Sequence, residues 1–259
     1  MSEPSFTITA LQAEDIPACA RLGAAAFEDD RHTQLKALAA NPPYDHGQGI
    51  LDSFPSYITH PRVVALKAVD NASGDLMGFI IWNLRGFKPQ EIPDVPGRPQ
   101  SVEPTPSAKT EQSEDDNKAE EEDEEKKKAA EDGMQRLARL NNEAMNDWLE
   151  AFMPDGVRAL CIIGLTVSPV YQGRGVGSAL VRWGTKVCDK EDVLGWVHAS
   201  DPSWRMYEKS GFEVKRVLDH DLDAYAPCPP PAEEGPDAKW GHYVFRCMIY
   251  NCPPDKGAE

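Results

Sequence analysis

Residues 159–184 read ALCIIGLTVSPVYQGRGVGSALVRWG and carry three structural signals in succession. The run Ala159–Val167 is apolar and β-rich, which predicts a buried strand. Pro169 then marks a turn, and the glycine-rich run Gln172–Gly177 follows it. Apolar residues recur at helical spacing over Gly173–Lys190. We therefore predict a strand, a glycine turn and a helix in direct succession.

The glycine turn is suited to bind a phosphate group. At the start of a helix the first backbone amides have no intrahelical acceptor, and the helix dipole attracts an anion. Glycines let a diphosphate approach the backbone, and Arg174 adds a positive charge. A tight loop that opens an ordinary helix would have the same sequence, so the pattern is weak when it stands alone. The Rossmann fingerprint is a poor fit because Ser178 occupies its third glycine position, and the Gly-Lys-Ser/Thr of a P-loop is absent from the sequence.

The rest of the chain alternates segments of strand and helix character. We predict further strands at Phe6–Thr9, Val63–Val69, Leu76–Leu84, Val193–Ala199, Phe212–Leu218 and His242–Tyr250. We predict further helices after Asp15 and over Thr33–Ala40, Met134–Phe152 and Ser203–Ser210. Tyr44–Ile58 is rich in Pro, Gly and aromatic residues and is interpreted as a loop with about one helical turn. This order of elements predicts a mixed α/β sheet.

The segment Lys88–Asp132 differs from its surroundings in composition. Six prolines occur between Pro89 and Pro106, and residues 103–132 then hold 13 acidic and 5 basic residues. A segment of this composition cannot bury enough apolar surface to form a core. We therefore expect a disordered or solvated insertion within one domain that spans residues 1–259.

The overall composition argues against several classes of protein. The chain has 259 residues and a net charge of −16, which disfavours a nucleic-acid partner. No apolar run approaches the about 20 residues that cross a bilayer, and the N-terminus lacks the basic start and apolar run of a secretory signal. The six cysteines form no CxxC pair, so zinc-ligand spacing is absent. We expect a cytoplasmic protein with reduced thiols, no metal site and no membrane or nucleic-acid partner.

Two stretches together resemble the GNAT superfamily of N-acetyltransferases. LTVSPVYQGRGVGSALVRWG (residues 165–184) resembles the acetyl-CoA-binding motif of that superfamily, and SWRMYEKSGFEV (residues 203–214) resembles the motif that follows it. The resemblance is strong over Leu160–Val217, fair over Phe6–Leu84 and absent over the predicted insertion. It implies an α/β (α+β) GNAT fold. In that fold the central sheet is mostly antiparallel, helices cover both faces, and one pair of strands splays apart.

The resemblance also implies roles for particular residues. Pantetheine would bind the strand backbone before the turn, at Leu165, Thr166 and Val167. The pyrophosphate would bind the turn and the helix start, at Gln172, Gly173, Arg174, Gly175, Val176, Gly177 and Ser178. The thioester would enter the gap beside the strand Val193–Ala199, and Tyr207 would lie near the sulfur as general acid. Asp201 departs from the asparagine that the family often has at this point, which puts its coenzyme contact in doubt.

The function implied by the resemblance is transfer of an acetyl group from acetyl-CoA to a primary amine of a small molecule. The amine would attack directly in a ternary complex, the Val167 amide would stabilise the oxyanion, and no metal or covalent nucleophile would take part. His198 lies at a strand end where the amine would arrive, so it is either a base or relay or a structural histidine. Aromatic residues that would wall an acceptor pocket, or belong to the core, are Tyr44, Phe54, Tyr57, Trp204 and Tyr225. Two other hypotheses stay open: a catalytically silent module that binds acyl-CoA, and an enzyme that acetylates protein or peptide amines.

Overall fold

The computed structural model describes residues 5–39, 42–95, 97–98 and 132–251. These residues form one seven-stranded sheet in the order β1-β2-β3-β4-β5-β7-β6. The strands are β1 (Phe6–Ala10), β2 (Val63–Asp70), β3 (Leu76–Arg85), β4 (Ala159–Val167), β5 (Leu194–Ala199), β6 (Glu213–Asp221) and β7 (His242–Tyr250). The helices of this part of the chain are α1 (Ile16–Ala26), α2 (Arg31–Ala39), α3 (His46–Thr59), α4 (Gly133–Phe152), α5 (Val176–Glu191) and α6 (Trp204–Lys209). Among the described strands β4 and β5 form the one parallel pair, which confirms a mixed and mostly antiparallel sheet.

Helices cover both faces of the sheet. α5 and α6 pack on one face, here called the α5 face, through residues that include Leu180 and Tyr207. α1, α3 and α4 cover the opposite face, here called the α4 face. Alternation along β4 separates the two layers, because Ile162 belongs to the core under α5 whereas Cys161 belongs to the core under α4. Each strand therefore contributes side chains to two distinct cores.

α5 lies close to the sheet because Gly184 has no side chain. A Cβ atom at this position would overlap the indole of Trp82 on β3. Trp82 is completely buried, and Trp183 of α5 lies beside it with the ring centroids 6.4 Å apart. This fit fixes α5, and with it the glycine turn at its start, against the centre of the sheet.

The prediction of a loop over Tyr44–Ile58 is wrong, because all 14 residues from His46 to Thr59 form α3. Asp45 caps this helix by accepting a hydrogen bond from a backbone amide of its first turn at 3.1 Å. Ile50 and Phe54 are buried and pack in the core with α1. The apolar residues of this segment thus form the buried face of a helix.

The beginning of the Pro-rich segment packs on the domain. Val95 is 3% exposed and belongs to the core of the α5 face. Arg98 donates hydrogen bonds to the carbonyl oxygens of Pro61 and Val63 at 3.2 and 3.3 Å. The structure differs here from the expected solvated insertion because these contacts hold the segment beside the start of β2. The acidic part of the expected insertion, residues 99–131, lies outside the described residues.

Cys19, Cys161 and Cys188 are buried, whereas Cys228 is exposed. Burial raises the pKa of Cys161 and Cys188 to about 12, so both thiols are protonated at neutral pH and act as apolar core groups. Over the same residues, the structure contains no helix that is long and apolar enough to cross a membrane.

Candidate active site

β4 and β5 stop pairing half-way along β4. Their parallel pairing ends at Ile162 and Val197, whereas β4 continues to pair with β3 as far as Val167. Ile163 is an extra residue opposite β3, where the register shifts between Ile81 and Trp82, and such a bulge bends a strand away from its neighbour. The Ile163 side chain is 43% exposed although it is apolar. A gap therefore opens between the C-terminal halves of two central strands.

Backbone groups of β4 face this gap. The Ser168 amide bonds the Met77 carbonyl oxygen on the β3 side at 2.9 Å. Because backbone groups of successive residues point to opposite neighbours, Thr166 also faces β3, and Leu165 and Val167 face the gap. The Val167 carbonyl oxygen fits this assignment, since it accepts a hydrogen bond from the Gln172 side chain at 3.2 Å rather than from β3. An extended ligand can thus add to the edge of β4 as a further strand would.

The glycine turn leads from this gap into α5. Gly173 and Gly175 have φ angles of 72° and 82°, a region that glycine adopts without strain. The Ala179 amide bonds the Gly175 carbonyl at 2.9 Å, so the amides of Val176, Gly177 and Ser178 precede the first helical hydrogen bond. A Cβ atom at Gly173 or Gly175 would meet no described atom within 4 Å, so the turn borders open space. Free amides, an open approach and the helix dipole together make an anion site.

Arg174 lies beside Tyr171 at this turn. Its guanidinium lies 5.5 Å from the ring centroid of Tyr171, and the Tyr171 hydroxyl donates a hydrogen bond to Asp75 at 3.1 Å. The positive charge of Arg174 also contributes to lowering the pKa of Asp70, although two backbone hydrogen bonds to that carboxylate are the larger cause. Arg174 thus adds a cation to the turn and is placed by an aromatic ring.

Tyr207 lies in α6 on the α5 face. The residue is 4% exposed, its ring packs edge-to-face on Phe212 with centroids 5.8 Å apart, and its hydroxyl has no hydrogen-bond partner in the described chain. Burial raises the pKa of Tyr207 above its ordinary value, so the phenol stays protonated at neutral pH. The adjacent Met206 comes within 3.9 Å of a Cβ built at Gly177, and Leu165 comes equally close. α6 therefore borders the turn and the open edge of β4.

His198 lies on the other side of the sheet from Tyr207. It is the first residue of β5 beyond the last pair with β4, and its ring lies among Phe245 (centroids 4.6 Å apart) and Trp148 (5.3 Å) of the α4 face. The buried Nε2 atom has no hydrogen-bond partner among the described residues. Burial lowers the pKa of His198 to about 4, so the ring is neutral at pH 7. The two expected catalytic residues thus flank the sheet rather than face each other.

A long molecule with a diphosphate requires a strand edge that is open to an extended ligand and a neighbouring helix start that is open to an anion. The β4 edge and the start of α5 provide this arrangement. The model of the acetyltransferase (GNAT) family matches residues 107–212, and the part from 132 onward covers the gap, the turn and Tyr207. The matched part of the chain is a GNAT acetyltransferase domain. It is accordingly an acyltransferase, and membership implies acetyl-CoA as co-substrate. The groups described above fit that molecule, with β4 for the pantetheine and the turn for the pyrophosphate.

Solved structures share this GNAT fold at low sequence identity. Arylalkylamine N-acetyltransferase 2 from Aedes aegypti is 15% identical with a TM-score of 0.56, covering 95% of this chain and 98% of that one. An agmatine N-acetyltransferase mutant is 12% identical with a TM-score of 0.54, covering 95% and 99%. A polyamine N-acetyltransferase from Drosophila melanogaster is 14% identical with a TM-score of 0.53, covering 94% and 98%. A search of curated proteins gave no significant match.

Asp201, which replaces the frequent asparagine of GNAT proteins, is engaged inside the protein. Its Oδ1 atom accepts a hydrogen bond from the Arg246 guanidinium at 2.8 Å, and that guanidinium lies 4.4 Å from the Trp204 ring centroid. The carboxylate therefore anchors the start of α6 to β7. This ion pair gives the aspartate a structural partner at the position in question.

The five aromatic residues considered for an acceptor wall do not come together. Phe54 and Tyr57 belong to the core under α1 and α3. Tyr225 packs beside α4, where the Arg136 guanidinium lies 5.7 Å from its ring. Trp204 lies against Arg246, and Tyr44 hydrogen-bonds His46 at 3.0 Å. No single pocket among the described residues is formed by this set.

The structure instead brings together polar residues that the sequence analysis did not select. Tyr243 at the start of β7 donates a hydrogen bond to Asp30 at 2.8 Å, and burial raises the pKa of this phenol more than the neighbouring Ser200 lowers it. Ser200 in turn hydrogen-bonds the Ser203 hydroxyl at 3.1 Å. Asp30 carries one local signal, a capping position before α2, but its partner on β7 is 213 residues away in sequence. No local pattern indicates such a pairing.

Proposed function

We propose that this GNAT protein transfers an acetyl group from acetyl-CoA to the primary amine of a small molecule, by direct attack within a ternary complex. The observation that carries the proposal is the gap between β4 and β5, which leaves the Leu165 backbone and the Val167 amide open next to the anion site at the start of α5. A ligand that spans both features places its reactive end between the strands. The pyrophosphate contacts fall on the amides of residues 172–178.

The two faces of the sheet take different roles in this proposal. Tyr207, Leu165 and the glycine turn border the α5 face, which suits the coenzyme. His198 lies on the α4 face with Phe245 and the polar residues next to Tyr243, which suits the acceptor amine. The amine then reaches the thioester through the gap in the sheet.

The chemistry requires loss of a proton from the amine. An alkyl ammonium with a pKa near 10.4 is only about 0.04% neutral at pH 7, so deprotonation costs about 4.6 kcal/mol. His198 is neutral at that pH but holds a proton poorly, so we assign it a hydrogen bond to the incoming amine rather than the role of a strong base. The Val167 amide stabilises the oxyanion, and the neutral phenol of Tyr207 donates to the departing sulfur.

The choice of a small amine is supported by solved relatives of the same fold. Their descriptions include agmatine, arylalkylamine and polyamine N-acetyltransferases. At 12–15% identity these proteins share the fold with this chain, and they indicate acceptors to test first rather than its substrate.

The test is a thiol-release assay with acetyl-CoA and a panel of acceptors. The panel contains aliphatic diamines, arylalkylamines, amino acids and short peptides with free N-termini. Release of coenzyme A that requires a small amine supports the proposal, and mass spectrometry of the acetylated product confirms the acceptor atom. Turnover with peptides alone would reassign the acceptor to a protein. Tight acetyl-CoA binding without thiol release on any amine would instead favour a silent binding module.

A further inference from the structure

We propose that the protein also transfers acyl groups longer than acetyl, and that Gly164 of β4 provides the space for the acyl chain. This inference rests on the proposed function and specifies its donors as acyl-CoA thioesters with short, unbranched chains such as propionyl and butyryl. It starts from a glycine in a central strand whose missing side chain is required neither by packing nor by backbone conformation.

Glycine inside a strand weakens it and usually allows another group to approach the backbone closely. The described strands contain two other glycines, and both follow this rule. A Cβ atom at Gly78 would lie 2.7 Å from the Thr166 carbonyl oxygen, and one at Gly195 would lie 3.2 Å from Tyr250. A Cβ atom at Gly164 would meet no described atom within 4 Å outside the adjacent residues, and its φ angle lies outside the left-handed region. A ligand is therefore the group that can use this space.

Gly164 lies at the closed end of the gap and opens onto the α4 face. The last pair of β4 and β5 joins Ile162 to Val197, so Gly164 is the second residue of β4 beyond it. Its partner on β3 is Ile81, which belongs to the core under α1 and α3, so the side-chain position of Gly164 points to that face. Leu165, by contrast, packs on the α5 face. Gly164 is half-buried, so the space above it is neither sealed nor fully open to solvent.

A coenzyme on the edge of β4 delivers its acyl group to this space. In the proposed complex the pantetheine lies along Leu165 and the Val167 amide, and the pyrophosphate lies at the start of α5. The acyl group is at the other end of the coenzyme and continues the path beyond the thioester. Gly164 lies three residues before Val167, which is about 10 Å of extended strand. A chain of several carbon atoms that leaves the Val167 amide along β4 therefore crosses Gly164.

The side chains around the closed end of the gap suit an alkyl chain. Ile163 forms the bulge next to Gly164 and is 43% exposed although it is apolar. His198, the first residue of β5 beyond the last pair, lies across the gap and packs on Trp148 with ring centroids 5.3 Å apart. Burial lowers the pKa of His198 to about 4, so this wall is uncharged at neutral pH. An alkyl chain in this space gains apolar contacts without removing a charged group from water.

The order of the sheet keeps the acyl chain apart from the acceptor amine. Gly164 lies on β4, whereas Phe245 and Tyr243 on the acceptor side lie on β7, with β5 between the two strands. The amine thus approaches from the β7 side of His198, and the chain lies on its β4 side. The reaction is unchanged, because the amine nitrogen bonds the acyl carbon and the carbon–sulfur bond breaks. The ammonium group loses two protons, of which one goes to the departing sulfur and the other to solvent.

The experiment measures kcat/KM for acetyl-, propionyl- and butyryl-CoA by thiol release with the best amine of the panel. For wild type we expect butyryl-CoA to be used within about tenfold of acetyl-CoA or better, since each methylene that leaves water raises affinity about fourfold. Gly164→Val fills the space with a residue that suits a strand. It should lower kcat/KM for butyryl-CoA at least about tenfold and leave that for acetyl-CoA within about threefold. Gly164→Ala should give a smaller loss in the same order.

Gly49→Ala is the matched control for the alanine variant. A Cβ atom at this position of α3 meets only the Tyr44 hydroxyl among the described atoms, at 3.8 Å, and α3 packs on α1 and β2. It should leave the order of the three donors unchanged. A wild type that is more than about tenfold selective for acetyl-CoA over butyryl-CoA would overturn the inference. Equal losses for the two donors in Gly164→Val would do the same.

The proposed function fails in a different way, since wild type would then release no thiol from any donor. Calorimetric titrations still decide the inference in that case. Butyryl-CoA should bind wild type more tightly than acetyl-CoA does, and Gly164→Val should lose this preference. The same preference in both proteins would show that the acyl chain does not lie over Gly164.

Discussion

Replacing Tyr207 with phenylalanine separates the packing of this side chain from its proposed proton donation. The residue is 4% exposed, and its ring packs on Phe212 with centroids 5.8 Å apart. Phenylalanine keeps the ring and its contacts and removes only the hydroxyl. Because that hydroxyl has no hydrogen-bond partner in the described chain, we expect the melting temperature to remain within about 2 °C of wild type or to rise slightly.

The expected loss in catalysis is much larger. A positioned general acid contributes about 10²- to 10⁴-fold to rate, which corresponds to about 3–5 kcal/mol of the barrier. Burial raises the pKa of Tyr207, so the phenol is protonated throughout the neutral range and the donor is present in any ordinary assay. We therefore expect Tyr207→Phe to lower kcat by about 10²- to 10⁴-fold, with little change in the Kd for acetyl-CoA.

Single-turnover thiol release measures this effect without interference from product release. Tyr250→Phe is the matched control, because the Tyr250 ring also contacts Phe212, at 5.5 Å, while its hydroxyl bonds Asp189 at 2.8 Å. This control should keep kcat and lose a little stability. An unchanged single-turnover rate for Tyr207→Phe would refute the acid assignment and leave Tyr207 as a packed aromatic residue.

Two further predictions concern stability. Gly184→Ala should lower the free energy of unfolding by about 1–3 kcal/mol because its Cβ overlaps Trp82. Gly164→Ala is the control and should not lower it, because its Cβ meets no described atom within 4 Å. Equal melting temperatures for the two variants would contradict this packing. Lowering the pH from about 6.5 to about 4 should destabilise the fold. Burial lowers the pKa of His32 and His198 to about 4 in the folded protein, so between these pH values both histidines bind protons in the unfolded chain but not in the folded one. His198→Asn should make the melting temperature less dependent on pH over this range, and an unaltered dependence would show that His198 is not buried as described.

The sequence predicted those elements whose signal is local. β4 and β7 were predicted with the bounds that the structure has, because each is rich in apolar, aromatic and β-branched residues. α3 was missed because glycine, proline and aromatic residues hid an apolar face that only the contact with α1 makes evident. The capping aspartate before it was the available signal.

The site could be predicted only in part for the same reason. The turn and α6 carry motifs in one continuous stretch, so residues 172–178 and Tyr207 were accessible to sequence analysis. Because side chains alternate along β5, His198 and Val197 lie on opposite faces of the sheet, but this alternation does not indicate which face binds the coenzyme. The contact between Asp30 and Tyr243 joins residues 213 positions apart and depends on the sheet order, which no local pattern encodes.

Binding of acetyl-CoA at the glycine turn is the central claim, and one pair of variants tests it directly. Gly175 has a φ angle of 82°, which asparagine and aspartate tolerate better than other side chains, and its Cβ position is open. Gly175→Asn and Gly175→Asp thus fit alike and differ by one negative charge. In calorimetric titrations with acetyl-CoA, we expect Gly175→Asp to bind at least about tenfold more weakly than Gly175→Asn, because its carboxylate repels the pyrophosphate. Equal affinities of the two variants would contradict a pyrophosphate site at this turn.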